Sequence, residues 1–202
     1  MISVTRILPV LAIGLLLLSP LGAQEAKAKT STAEQQAMME AWQKASTPSS
    51  NHKLLAGFKG NWNYTGKLWM EPGAPPQTTS GSATTVALLD GRYFQEDSSG
   101  SFMGMPFHGI AVMGYDNVAQ HFTSTWIDNM STSILFMTGS YDLASKTFTY
   151  LCEMDDMLKP GSKVKVRQVV KVLSDDSHIL EWYEVRGGKE RKTMEMTYTR
   201  QR

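Results

Sequence analysis

Across its 202 residues the chain carries 20 Lys and Arg against 19 Asp and Glu, a formal net charge of +1. Such a balance lacks the basic excess that draws nucleic acid or an anionic membrane surface. With 42% hydrophobic residues and one cysteine, Cys152, the composition fits a packed domain with no internal disulfide, and Cys152 is expected to be a buried, inert thiol.

In chain order, Arg6 precedes a mostly apolar run from Ile7 to Leu18, which Ser19, Pro20 and Gly22 interrupt before Ala23. A basic start, an apolar stretch shorter than a spanning helix and a small residue at the exit predict a signal peptide over residues 1–23. Cleavage is expected after Ala23, with Ala28 as the alternative site. An uncleaved anchor is the competing reading, opposed by Pro9 and by the length of the run. Cleavage removes Arg6 alone among the charges and leaves 19 basic against 19 acidic residues, a net charge of zero. The expected destination is the periplasm or the exterior, without stable membrane insertion after cleavage.

Residues 24–51 read as a leader with one short helix. Residues 24–30 show no apolar pattern and are expected to be flexible. Ser31 with Glu34 has capping-box spacing, and Ala33 to Ala45 holds helix formers with Met38 and Trp42 on one side. Pro48 and the small polar residues from Thr47 to Asn51 end it.

From Leu54 the helical period gives way to two-residue alternation. Its clearest instance puts Val164, Val166, Val170 and Val172 on one face with Gln168, and Lys165, Arg167 and Lys171 on the other. Similar segments at 61–71, 80–89, 92–99, 107–115, 121–128, 133–141, 146–153, 178–186 and 191–200 bring the expected strands to about ten. Turns at Leu89-Asp90-Gly91-Arg92 and Arg186-Gly187-Gly188-Lys189 imply antiparallel hairpins, because glycine reaches positive φ without steric cost. A repeated pattern, Tyr115-Asp116 before Phe122 and Tyr141-Asp142 before Phe148, predicts Asp-capped loops flanked by aromatic cross-strand pairs. Sequentially paired strands hide their edges by closing, so residues 52–202 are expected to form one all-β, up-and-down barrel; a two-layer sandwich of the same strands is the alternative.

Gly60-Asn61-Trp62 at the first strand and Arg200 at the end of the last resemble the calycin signature. That resemblance implies a barrel-closing group of Gly60, Trp62 and Arg200, with the guanidinium stacked on the indole. A closer likeness runs through His52-Lys53-Leu54-Leu55, Trp69-Met70-Glu71-Pro72, Gly91-Arg92-Tyr93-Phe94, Gly104-Met105-Pro106-Phe107-His108-Gly109, Gly114-Tyr115-Asp116-Asn117, Ser124-Thr125-Trp126-Ile127-Asp128-Asn129-Met130 and Lys192-Thr193-Met194-Glu195. These ordered blocks resemble the domain of unknown function 1579 family. The resemblance implies a secreted or periplasmic bacterial protein with a barrel fold, and supplies no catalytic residues.

The residues themselves name no chemistry. None of His52, His108, His121 and His178 lies at zinc-ligand spacing from another His or from Cys152, so no metal or cofactor is assigned. Haem on His108 or His178 remains an alternative. Copper on Met103-Gly104-Met105 or Met194-Glu195-Met196 is another, with core packing the simpler reading of the second pair. No nucleophile motif is present. Glu96 and Asp128 would form a carboxylate pair if both point inward, although Asp128 beside Asn129 reads more simply as a turn residue. The main expectation is a barrel that binds a small apolar or amphipathic ligand, with Tyr64, Met113, Tyr115, Trp126 and Trp182 on its wall and Arg92 as a polar anchor. A barrel filled by its own aromatics, serving as a structural or interaction module, is the second.

Overall fold

The structure, a computed structural model, describes residues 21–202. The apolar run from Ile7 to Leu18 therefore lies outside the described residues, as does the rest of the segment read as a signal peptide before Leu21. Two compact units divide the chain, one ending at Gln43 and the other comprising Lys44–Arg202.

Helix α1 spans Leu21–Ser46, starting ten residues earlier than Ser31. Residues 24–30 are thus helical where flexibility was expected, because their Ala, Lys, Gln and Glu are good helix formers with no Gly or Pro to interrupt them. Ser31 lies inside the helix and not at its start. A second helix, α2 (Ser50–Ala56), occupies a stretch where strand alternation was expected to begin. Ser49 is its N-cap, and the Ser49 backbone N–H donates to Nδ1 of His52 at 2.9 Å, so a histidine takes the role usually given to glutamate.

Ten strands follow: β1 (Gly60–Leu68), β2 (Gln77–Leu88), β3 (Tyr93–Phe102), β4 (Met105–Asp116), β5 (His121–Asp128), β6 (Leu135–Asp142), β7 (Thr147–Asp155), β8 (Lys163–Ser174), β9 (Ser177–Arg186) and β10 (Lys189–Arg200). Each pairs antiparallel with its sequence neighbours, and β1 also pairs with β10, so the sheet is a closed barrel and not a sandwich. Closure leaves no strand edge open to another chain.

Local chemistry accounts for the connections. Oδ1 of Asp116 accepts from the N–H groups of Val118 (2.7 Å) and Ala119 (2.9 Å), and Oδ1 of Asp142 accepts from those of Ala144 (2.8 Å) and Ser145 (3.0 Å). Beside these loops the register pairs Tyr115 with Phe122 and Tyr141 with Phe148, their ring centroids 4.8 and 4.5 Å apart. The β9–β10 turn uses Gly187 and Gly188 at φ of 58° and 75°, a conformation that a side chain would strain.

Barrel closure is concentrated where β1 meets β10. Trp62 and Arg200 are direct partners in register, and the guanidinium lies 4.2 Å from the indole centroid. Arg200 also donates to the carbonyls of Lys59 (2.5 Å), Gly57 (2.9 Å) and Asp175 (2.8 Å) and pairs with Asp176 at 3.2 Å. It thereby ties the entry segment, the β8–β9 turn and the final strand together. Gly60, at φ 116°, lies so close that an added Cβ would fall 2.7 Å from Nη1 of Arg200.

The larger of two buried clusters gathers around Leu55 and Phe58. Leu55 of α2 is fully buried, and Phe58 packs against Phe148 (5.6 Å) and His178 (5.0 Å), so α2 and the segment after it form a floor across one end of the barrel. On the outer wall, Glu181 accepts from Lys171 (2.8 Å), Lys192 (3.3 Å) and the Tyr183 hydroxyl (3.1 Å).

A hollow barrel interior as the candidate binding site

Above the floor the barrel is not filled. A cavity of about 320 Å³ runs from Phe58 and Phe148 at the floor to Phe102, Phe107 and Met130 at the opposite rim. Met130 lines this space and is 36% exposed, so the cavity communicates with solvent at that rim. A space this size is at the small end of ligand pockets. The barrel's own aromatics line this space without filling it.

The strands position the wall by alternation. Tyr64 and Leu68 come from β1, Met113 and Ala111 from β4, Trp126 from β5, Trp182 and Leu180 from β9, and Met194, Met196 and Tyr198 from β10. Glycines make room for two of the rings. Gly81 and Gly100 are register partners, and a Cβ on either would fall within 2.4 Å of the Tyr64 hydroxyl. A Cβ at Gly109 would fall 2.3 Å from the Trp126 indole. These absent side chains let each aromatic lie along the wall. Met113, Met130, Met137, Met194 and Met196 all face the space, which suits a wall that adapts to its contents.

Four of the six residues proposed from sequence as wall or anchor, Tyr64, Met113, Trp126 and Trp182, line this cavity. Tyr115 does not. It continues the inward alternation of β4 below the floor, where it meets the edge of His52 (5.9 Å) and Phe122 and borders a separate depression with Leu54 and Tyr141. Arg92 also lies elsewhere, in the β2–β3 turn, with Nε donating to the Ser46 carbonyl (3.0 Å) and Nη1 to that of Leu89 (3.0 Å). Together with Asn117, whose Nδ2 donates to the Ala45 (3.1 Å) and Thr47 (2.8 Å) carbonyls, it fastens residues 45–47 to the barrel turns.

Polar groups in the cavity are few and uneven in sign. Glu96 of β3 faces it, partly buried, and accepts a hydrogen bond from Ser98 Oγ at 2.8 Å. Burial raises the Glu96 pKa, an effect the Ser98 bond only partly offsets. In turn, burial first and the Glu96 charge second push up the phenols of Tyr64 and Tyr198. Tyr64 donates its hydroxyl to the Ser99 carbonyl at 3.2 Å and so does not serve Glu96. Next to Glu96 in register is Thr85, whose buried hydroxyl has no partner among the described residues.

Asp128 also lines the cavity, nearer the rim, with Oδ2 accepting from Trp126 Nε1 (2.8 Å) and Oδ1 from the Met130 N–H (2.9 Å). It combines the turn role with that of orienting an indole, and no bond joins it to Glu96. His178 reaches the cavity between rings, stacked on Tyr198 at 4.4 Å and edge-on to Trp62 at 4.6 Å. Its pKa falls to about 3, through burial and then the charge of Arg200. His108 is on the outer face and pairs with Asp97 at 3.0 Å. Cys152 is half-buried and packs against the core, and burial raises its pKa. Among the described residues no three His, Cys, Asp or Glu side chains converge on a metal position.

Sequence reasoning named Glu96 only as half of a conditional pair. The signal for a larger role was present: Phe94, Glu96 and Ser98 share one face of β3, and Glu96 is the charged member of that inward row.

These features define a class, a hollow closed ten-stranded antiparallel barrel, floored by a short helix and open at one rim. The chain belongs to the family described as Protein of unknown function (DUF1579), whose model matches residues 47–200. No curated protein matches its sequence. Similar solved structures include a redesigned beta barrel, 13% identical with a TM-score of 0.37, over 73% of this chain and 94% of that one. Another is EF1p2_mFAP2b bound to DFHBI, 10% identical with a TM-score of 0.42, over 74% of this chain and 98% of that one.

Proposed function

We propose that this protein is an exported carrier that holds one small, largely apolar molecule inside its barrel. One observation carries the reading, the cavity of about 320 Å³ walled mainly by aromatic and methionine side chains. Leaving such a wall wet forfeits the favourable transfer of apolar surface, about 25 cal/mol per Å², which an apolar ligand recovers. Export is supported by the basic start and apolar run before Ala23.

The test is native mass spectrometry of the protein recovered from the periplasm of cells making the full chain. The expected species begins at Gln24, or at Lys29 if the second site is used, and carries one small molecule. After delipidation it takes up one equivalent of a nonionic fluorescent apolar probe, with a rise in Tm that follows probe concentration. A bare mature mass together with no saturable probe uptake overturns the carrier reading. Full-length protein retained in the cytoplasm overturns export.

A further inference from the structure

The cavity has an electrostatic sign. Glu96 and Asp128 face it, and among the described residues no Lys or Arg lines it. Asp128 has both oxygens engaged, by Trp126 and Met130, whereas Glu96 receives one hydrogen bond, from a neutral serine. A partly buried carboxyl that faces an apolar cavity without a counter-ion is costly to keep charged. Around it stand Tyr64 and Tyr198, whose ring centroids are 5.5 Å apart, and aromatic faces attract cations. The Thr85 hydroxyl, Glu96's register neighbour, is buried in the adjacent wall without a partner among the described residues and supplies no counter-charge. An anionic head would meet a like charge here and find no base.

Building on the carrier reading, we propose that the ligand is a cationic amphiphile, an alkyl or aryl amine or quaternary ammonium, whose head lies against Glu96 and the Tyr64 and Tyr198 rings while its tail runs along the methionine-lined wall toward the rim. The bound cation is the counter-ion that the barrel itself does not supply. The polar anchor is then an acid, the reverse of the arginine expected from sequence.

A set of ligands with equal tails tests this, titrated by calorimetry below their micelle concentrations at pH 7.5: decyltrimethylammonium, decylamine, decanol and decanoate. The expected order places both cations about tenfold or more ahead of decanol, with decanoate weakest. Glu96→Gln is expected to abolish the advantage of the cations over decanol, bringing the ratio of their affinities close to one.

A second measurement needs only the wild-type protein. Decyltrimethylammonium has no proton to lose, so its affinity is expected to rise with pH as Glu96 ionises, while that of decanol stays flat. Of the other titratable groups facing the head position, His178 on β9 stays neutral down to about pH 3, and Tyr64 on β1 and Tyr198 on β10 are held above their usual range. Asp128 on β5 faces the same cavity, and the Glu96→Gln profile separates its effect.

Equal binding of decanol and the cations, or a preference for decanoate, overturns the proposal and leaves the carrier reading intact. Failure of all four to bind overturns both.

Discussion

Trp62→Ala is expected to lower the free energy of unfolding by about 3–5 kcal/mol, the range for truncating a buried aromatic. The indole is 2% exposed and its Nε1 donates to the Phe58 carbonyl at 2.7 Å, holding the floor segment to β1. It also carries the stacked guanidinium of Arg200 and the edge of His178. Truncation therefore leaves a void, an unpaired carbonyl and a guanidinium without its aromatic face. For a domain of this size the loss corresponds to a Tm decrease of roughly 6–20 °C. Denaturant melts of both proteins check it, and a change under 1 kcal/mol would show that the β1–β10 junction does not hold the barrel closed.

Acidification is expected to destabilise the protein through His178. Its pKa is about 3 in the folded state against 6.5 in the ordinary one, so the unfolded chain takes up the proton first. The stability due to the neutral ring is present above pH 6.5 and is lost as pH falls toward 3. The full loss is on the order of 5 kcal/mol, from about 1.4 kcal/mol per pH unit. Other groups titrate along the way. His52, also lowered, acts in the same direction, whereas Glu96, raised, acts oppositely because its protonated form is the one favoured by burial. Asp116, Asp156, Glu181 and Glu190, all lowered, lose their contributions at the acid end. Subtracting the pH–stability curve of His178→Phe from that of the wild type isolates the single histidine. The expected difference changes by close to one proton's slope between pH 6 and 4, and parallel curves would mean that the ring protonates freely in the folded barrel.

Much of the fold was legible because turns and alternation are local signals. The Asp-capped loops after Tyr115 and Tyr141, the Gly187-Gly188 turn and the valine face of β8 each state their own conformation. The closure of Trp62 on Arg200 was legible only through family likeness, since a contact between the two ends of a barrel leaves no trace in either segment alone. What escaped was short or tertiary. Helix α2 has seven residues, too few for a period, and its cap uses His52 in place of an acid.

That missed helix explains the error at Tyr115, which alternation places inward but which α2 leaves below the floor. Arg92 falls before the first residue of β3, Tyr93, so the turn and not the strand sets its direction. Whether aromatics fill a barrel or line it depends on summed volumes around ten strands, and the pattern of any one strand is silent about that. The glycines facing Tyr64 and Trp126 show the outcome, because they let the rings lie flat and leave the centre empty.

The most direct test of the hollow interior is calorimetric titration of decanol into the wild-type barrel and into Ala111→Trp. Ala111 lies on the cavity wall between Glu96 and Trp126 in register, so a tryptophan there occupies the ligand's volume without touching the Trp62–Arg200 junction. A hollow interior requires saturable binding of one decanol per wild-type chain and none to a folded variant. Undiminished binding by the variant would contradict it.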